Sequence, residues 1–280
     1  KFSSNYCRRM VFLSHLLRLR SSEVNPGFDQ DNKHKKELRF DPEGSREEKR
    51  EAINSQKWTG LKFSTIGLAM RLYSKLPLKQ VDKQFACVYL AIKQEEMYPP
   101  SIYKMVSRLC KDTVSHKNYG IFTDTCNTIT SNEVDVLQLA DFSLHRPTVH
   151  YLIDLIIGLL QLPQEIYINS QLLFLLFFTN RTIFQRKEQL ESALSLVVIA
   201  AEQTPDCEDI SIALKLTFKD QLFEFQKKPV EELKTELKFL YDHTIKFYEH
   251  NKTDAERWWP ASMAELIQAL KKMPMFTSDD

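Results

Sequence analysis

The residue types that most often perform catalysis or bind metals are scattered along this sequence of 280 residues. Five cysteines, at positions 7, 87, 110, 126 and 207, form no C-x-x-C pair. Their odd number and wide spacing indicate reduced thiols in a reducing compartment rather than disulfides or a zinc site. His145 and His150 are separated by five positions with Pro147 between them, a spacing that does not put two ligands on one helical face. We therefore predict that neither histidine binds a metal.

Motifs for catalysis and phosphate binding are also lacking. The sequence has no H-E-x-x-H and no G-x-S-x-G, and its six glycines are too widely spaced for a dinucleotide-binding loop or a P-loop. Carboxylates do cluster in the runs REEKRE (46–51) and VEELKTELK (230–238), but lysines and arginines at helical spacing pair with them on a solvated face. The sequence therefore predicts no catalytic residues, no metal site and no cofactor.

Composition and charge narrow the fold class and the partners. Apolar residues make up 43% of the chain and charged residues 27%, which is typical of a globular protein. Only 6 residues are glycine, and this scarcity favours helices joined by short loops over β-sheets. The 38 Lys and Arg nearly balance the 37 Asp and Glu, so we expect no nucleic-acid partner. The longest apolar runs fall short of the ~20 residues of a membrane span.

Apolar periodicity predicts an all-α fold of about a dozen helices. In the first half, helices are predicted near 46–58, 64–76, 79–96, 100–110 and 132–144, with a linker over 21–50 and a loop over 111–128. Ser64 or Thr65 is predicted to cap the helix that ends before Pro77, and Pro100 to lie in the first turn of the fourth helix.

The second half of the chain shows a similar succession of apolar segments of helix length. Helices are predicted near 150–160, 168–178, 188–201, 229–249 and 260–272. Thr148 is predicted to cap the first of them. The runs 151–160 and 172–178 are apolar on nearly every side, so we expect other helices to surround both. Residues 192–201 are also compatible with a strand, but their helical neighbours favour a helix.

The first 22 residues carry five basic residues, five serines and no acid. This composition fits a mitochondrial transit peptide, a basic amphipathic helix that docks on a partner or an acidic membrane, or a packed helix of the fold. The packed helix would bury its apolar positions Met10, Phe12, Leu13, Leu16 and Leu17 and leave Arg8, Arg9, Arg18 and Arg20 in solvent.

Two segments closely resemble the cyclin family. The segment FACVYLAIKQEEMYPPSIYKMV (85–106) contains the A-x-K-x-E-E pattern of the first cyclin box, followed by the M-Y-P-P of mitotic, B-type members. The segment NEVDVLQLADFSLHRPTVHYLI (132–153) resembles the junction between the two boxes, where Glu133, Phe142, Leu144, Pro147 and Thr148 occupy the family positions. A weaker similarity, over 64–76, is to the second helix of a box. The resemblance extends over roughly residues 46–250.

The resemblance implies two tandem five-helix bundles with flanking terminal helices. Residues 1–45 would form the basic helix and polar linker, 46–146 the first cyclin box, 147–250 the second box and 251–280 a C-terminal helix. The helix over residues 8–20 would then pack against the first bundle or a bound kinase.

The resemblance also implies a function. Cyclins are non-catalytic subunits that bind and activate a cyclin-dependent protein kinase by pressing on its αC helix. The residues implied to bind the kinase are Lys93, Glu133, Glu96 and Tyr98. Lys93, at the end of the third helix, and Glu133, at the start of the fifth, would lie close together, partly exposed and beside an apolar rim. Such a protein would work in the nucleus or the cytoplasm.

The chain also departs from the family pattern. Ser74 or a neighbour stands where an acid is usual, and the first helix of the box is irregular. The groove by which cyclins bind kinase substrates or inhibitors would involve Arg50, Ile53 and Trp58, although their spacing differs from the family's by about two residues. An alternative function is therefore a cyclin-fold scaffold that belongs to a larger assembly and binds no kinase.

Overall fold

The computed structural model describes residues 4–20, 61–77, 83–96, 99–109, 119–144, 147–180, 189–218, 229–258 and 261–277. All regular secondary structure in these ranges is helical, which confirms the predicted all-α class. The linker over 21–50, the helix over 46–58 and the groove residues Arg50, Ile53 and Trp58 lie outside the described residues.

The described ranges contain eleven α-helices. In chain order they are α1 (Ser4–Arg20), α2 (Phe63–Lys75), α3 (Gln84–Glu95), α4 (Ile102–Leu109), α5 (Tyr119–Leu139), α6 (Val149–Leu160), α7 (Gln164–Phe178), α8 (Gln189–Glu202), α9 (Glu208–Thr217), α10 (Pro229–Trp258) and α11 (Ala261–Lys271). A short 3₁₀ helix, Pro274–Phe276, follows them.

The helices pack in two consecutive groups. In the first group, α2 to α5, helix α3 packs against α2 and α5, and α4 packs against α5. In the second group, α6 to α10, helix α8 contacts α6, α7, α9 and α10. The contact between α2 and α6 joins the two groups. The five-helix count of the predicted first bundle depends on residues 46–58, and so it stays a prediction.

The centre of the second group is formed by α7 and α8. Residues 170–178 of α7 and 191–201 of α8 are buried on every side. The prediction for 172–178 is therefore confirmed, as is the helical interpretation of 192–201. Helix α6 differs, because Tyr151, Leu155 and Leu159 are exposed. Only its opposite face packs against α2, α7 and α8, so the prediction that other helices surround 151–160 was wrong.

Helix α1 is integrated into the fold by its apolar face. The five apolar residues that the sequence predicts to be buried, Met10, Phe12, Leu13, Leu16 and Leu17, are all buried. The helix packs against α4 and α11, and the ring of Phe12 stacks on Tyr73 of α2 with centroids 4.1 Å apart. The same ring lies 6.4 Å from Phe178 at the end of α7. Helix α1 therefore contacts both groups, which confirms the expected packing against the first.

One arginine of α1 was predicted to be in solvent and is not. Arg9 is 3% exposed, donates a hydrogen bond to the carbonyl oxygen of Phe178, and holds its guanidinium 4.7 Å from the centroid of that ring. The last carbonyls of a helix have no partner within the helix, and a cation near them is favoured by the helix dipole. The end of α7 therefore supplies the site that buries Arg9. The structure describes the backbone of Arg8, Arg18 and Arg20 but not their side chains.

The predicted helix starts are confirmed at α6 and wrong at α2 and α4. Thr148 caps α6, since its Oγ1 accepts a hydrogen bond from the third backbone N–H beyond it at 3.1 Å. Helix α2 begins at Phe63, so Ser64 and Thr65 lie inside its first turn. Pro100 precedes α4, whose first turn is bonded by the hydroxyl of Ser101 instead.

The contact between α2 and α6 is close because Gly67 has no side chain. A Cβ added at Gly67 would lie 2.9 Å from the Cβ of His150, which is buried in α6. His150 is held by Gln171, whose Oε1 lies 2.7 Å from Nδ1, and by Asp154, whose Oδ2 lies 3.1 Å from Nε2. His150 is therefore a core residue, held by two polar side chains.

We expect Gly67→Ala to destabilise the fold by about 1–3 kcal/mol, because the added methyl group overpacks this buried contact. The matched control is Gly158→Ala in α6, where an added Cβ would meet nothing within 4 Å. This control should be stabilising by about 0.5–1 kcal/mol, since alanine favours the helix. Urea denaturation at low protein concentration measures both. Equal effects of the two substitutions would contradict a close contact at Gly67.

Candidate functional site

The candidate site lies where the end of α3 meets α5. Helix α3 buries the small residues Ala86, Cys87 and Ala91, which lets its neighbours approach closely. Burial raises the pKa of the Cys87 thiol, which therefore stays protonated. Lys93 follows in the last turn of α3 and is exposed. The buried part of α3 thus holds the helix against its neighbours, and the last turn of α3 places the ammonium group of Lys93 at the surface.

Lys93 and Glu133 form an ion pair across this contact. The Nζ atom of Lys93 lies 2.6 Å from Oε2 of Glu133, although 40 positions separate the two residues. The ammonium group also lies 4.6 Å from the centroid of the Tyr89 ring, one turn earlier on α3. The lysine side chain is 44% exposed and that of the glutamate 12%. The structure thus brings together two residues that the cyclin resemblance implies to be close.

The second carboxylate oxygen of Glu133 is buried and incompletely bonded. Oε1 has no hydrogen-bond partner among the described residues. A buried acceptor without a donor costs about 1–3 kcal/mol, and more when it is charged. Glu133 therefore has one oxygen bonded to Lys93 and one that the chain encloses, which a partner reaches only if the side chain turns outwards.

The position of Glu133 along its helix differs from the prediction. Helix α5 begins at Tyr119, so Glu133 lies in its last third and not at its start. The predicted loop over 111–128 is likewise wrong for residues 119–128. Cys126, Ile129 and Val136 provide a buried stripe, while the polar residues between them face outwards. These polar residues interrupt the apolar periodicity by which the helix would be recognised in the sequence. Glu133 lies too far from the start of α5 for the helix dipole there to stabilise its charge.

Glu96 faces inwards, unlike the surface position that the cyclin resemblance implies. Its Oε1 accepts hydrogen bonds from the hydroxyl of Thr65 at 2.6 Å and from the backbone N–H of Lys62 at 3.2 Å. Its Oε2 lies 3.5 Å from Nζ of Lys62, and only 7% of the side chain is exposed. Glu96 therefore ties the end of α3 to the start of α2, where no side chain of α2 itself caps the helix. The fourth implied residue, Tyr98, is outside the described residues.

Three exposed apolar side chains on neighbouring elements were not selected from the sequence as site residues. They are Tyr103 on α4, Val134 on α5 and Phe142 beyond the end of α5. Asp141 and Phe142 both have a φ of 53°, a left-handed conformation that is uncommon for residues with a side chain. The backbone N–H of Phe142 bonds the carbonyl oxygen of Leu137 at 2.8 Å. Phe142 belongs to the motif at the junction between the two boxes. The exposure of its side chain, however, depends on this left-handed turn, which the sequence does not predict.

A second ion pair joins the same two helices. Nζ of Lys83, at the start of α3, lies 2.6 Å from Oδ2 of Asp135 on α5. This pair matches the Lys93–Glu133 pair in charge and distance, but it lies at the opposite end of α3. It therefore offers a control for any effect that depends only on holding α3 against α5.

Within the described ranges, no three His, Cys, Asp or Glu residues are grouped so as to hold a metal ion. Each helix of that part of the chain is too short or too polar to cross a membrane. Comparison of the chain with protein-family models, with curated proteins and with solved structures finds no match.

Proposed function

We propose that this chain is a regulatory subunit that binds and activates a cyclin-dependent protein kinase. The observation that carries the proposal is the surface ion pair between Lys93 and Glu133, which joins the two cyclin-like motifs of the sequence at 2.6 Å. Two motifs chosen independently along the chain thus contribute one residue each to a single charged feature. Lys93 lies at the end of α3, as the resemblance implies, whereas Glu133 lies in the last third of α5 and not at the start of its helix.

The chemistry of the pair suits recognition of a kinase backbone. The ammonium of Lys93 has three N–H donors, of which Glu133 takes one, and the side chain is partly in solvent. The remaining donors can reach carbonyl oxygens of the loop beside the kinase αC helix, and the exposed part of the Glu133 carboxylate can accept a backbone N–H. These bonds would hold αC so that its own glutamate pairs with the catalytic lysine of the kinase, which phosphoryl transfer requires.

The exposed apolar residues supply the rest of the proposed interface. Recognition surfaces generally combine an apolar centre with a few polar groups that fix orientation. Tyr103, Val134 and Phe142 are each at least half exposed and lie on or beside helices α4 and α5. In this proposal, the kinase buries these side chains around the ion pair. Substrates or inhibitors of the kinase are further proposed partners, and the nucleus or the cytoplasm is the proposed location.

The proposal is tested by activation of a kinase. Partners bound to the full chain are recovered and identified, and the recovered kinase is assayed on a peptide substrate with and without the purified chain. We expect the chain alone to transfer no phosphate and to raise the activity of the kinase at least about tenfold, because αC must be in place for catalysis. A kinase whose activity is independent of the chain, or turnover by the chain without a kinase, would contradict the proposal.

A scaffold subunit that binds no kinase is the second proposal. It is favoured by the internal bonding of the charged residues, since Lys93 is paired with Glu133, and Glu96 is bonded to Thr65 and Lys62. Such charges need no partner to be satisfied. Recovery of the chain in a stable stoichiometric assembly without a kinase would support this function and reject the first.

A further inference from the structure

Glu96 caps helix α2 although it belongs to a different part of the sequence. The residue before α2 is Lys62, whose side chain has no hydrogen-bond acceptor and makes no capping bond. Instead, Oε1 of Glu96 accepts the backbone N–H of Lys62 at 3.2 Å and the hydroxyl of Thr65 at 2.6 Å. A carboxylate is favoured at the start of a helix, where backbone N–H groups are free and the helix dipole is positive. The start of α2 therefore holds the Glu96 side chain in a defined place.

The same residue ends helix α3. Glu96 follows α3 directly, and its backbone N–H donates to the carbonyl oxygen of Ile92 at 3.0 Å. Helix ends fray, because their last carbonyl oxygens have no partner within the helix. Only 7% of the Glu96 side chain is exposed, and its bonds to α2 restrain the backbone that carries it. The last turn of α3 is therefore held against the start of α2.

Lys93 lies in this last turn. Its side chain is 44% exposed and reaches Oε2 of Glu133 on α5 at 2.6 Å. A lysine side chain has many rotamers, so the place of its ammonium group depends on a fixed backbone. If the last turn of α3 frayed, the ammonium group would move into solvent, and a partner would have to order it again. Groups that are already held in their bound arrangement bind more tightly, because association does not have to order them.

We propose that Glu96 is a positioning residue for the kinase-binding site. By holding the last turn of α3 on the start of α2, it keeps Lys93 beside Glu133 before a kinase arrives. This inference rests on the proposed function, and it gives Glu96 a role other than the direct kinase contact that the cyclin resemblance implies. The Glu96 carboxylate faces Thr65, which is fully buried, and so acts on the kinase through Lys93.

Substitution of the buried Thr65 tests this role without altering the surface that a kinase meets. Thr65→Val keeps the branched shape of the side chain but removes the hydroxyl donor to Glu96. We expect association with the kinase recovered with the chain, measured by calorimetry, to weaken at least about fivefold. In a Lys93→Ala background the same substitution should cause no further weakening, since the group that Glu96 positions is then absent. Equal weakening in both backgrounds would show a general structural effect and overturn the proposal.

Gln203→Ala is the matched control. Gln203 follows helix α8 directly, as Glu96 follows α3, and its Oε1 accepts the backbone N–H of Met275 at 2.6 Å. Its removal also releases the end of a helix from a neighbouring element, but at the end of α8 instead of α3. Kinase association should be unchanged in this variant, and weakening equal to that of Thr65→Val would contradict a specific role of Glu96.

Amide hydrogen exchange of the free chain tests the restraint on α3 without a kinase. Glu96→Ala should speed the exchange of the backbone N–H groups of residues 93–95 at least about tenfold, since the last turn of α3 then opens more often. Glu96→Gln, which keeps an acceptor oxygen, should retain the slow exchange. Unchanged exchange in Glu96→Ala would overturn the proposal.

The effect of Lys93→Ala alone separates this inference from the proposed function. Kinase association that Lys93→Ala leaves unchanged would reject the proposed site, and the positioning role with it. Association that is weakened by Lys93→Ala but not by Thr65→Val would reject the positioning role of Glu96 and leave the proposed function standing.

Discussion

Exchanging the charges of the surface ion pair, by Lys93→Glu together with Glu133→Lys, is expected to weaken association with the kinase at least about a hundredfold. The reversed pair can still form within the chain, because the two side chains remain close and opposite in charge. The partner, however, meets a carboxylate where it needs a donor and an ammonium where it needs an acceptor. Association is measured by titration calorimetry with the purified kinase.

The melting temperature of the free chain should change little, since the pair can re-form with its charges exchanged between the same two side-chain positions. The matched control exchanges Lys83 and Asp135, the other 2.6 Å pair between α3 and α5. It should leave kinase association intact. Equal losses in both exchanges would show that the helices need these pairs to stay in place, and unchanged association in the first would show that the kinase does not bind here.

Truncating the central ring of α1, by Phe12→Ala, is expected to lower the free energy of unfolding by about 3–5 kcal/mol. The Phe12 side chain is fully buried and touches rings from both helical groups, Tyr73 and Phe178. Removing the ring leaves a cavity between the two helical groups. A helical group that moved to fill this cavity would lose contacts with the other group. Chemical denaturation followed by circular dichroism measures the change.

The neighbouring substitution Val11→Ala is the control, because Val11 lies on the same helix and is 39% exposed. It should cost less than about 1 kcal/mol, as substitutions outside the core usually do. Both substitutions raise helix propensity, so a loss of similar size in the two variants would show that the burial of the Phe12 ring is not what makes its loss costly.

The fold class and several details could be predicted from local patterns. Thr148 is a strong capping residue ahead of an apolar run, and residues 172–178 are apolar on all sides; both predictions hold. The predicted contact between Lys93 and Glu133 came from the resemblance, since no local pattern relates residues 40 positions apart. Local patterns predict only that Lys93 and Glu133 each lie in a helix, and not that the two helices meet.

The predictions that failed depend on tertiary structure. Arg9 is buried because the end of α7 offers it a carbonyl and a ring, and neither is near it in sequence. Glu96 faces inwards because α2 begins beside it with a free backbone N–H. The start of α5 was missed because its exposed face is rich in threonine and asparagine, residues that locally favour loops.

The contact between α1 and α11 has a consequence for the order in which the chain folds. These helices, Ser4–Arg20 and Ala261–Lys271, come from opposite ends of the described sequence, so their contact is among the least local in the molecule. During synthesis the apolar face of α1 emerges long before α11 leaves the ribosome. Until then the apolar face of α1 lacks the cover that α11 supplies, and contacts of such long range form slowly. A nascent chain thus exposes part of this face, which aggregation or a chaperone would recognise, until α11 has been made and covers it.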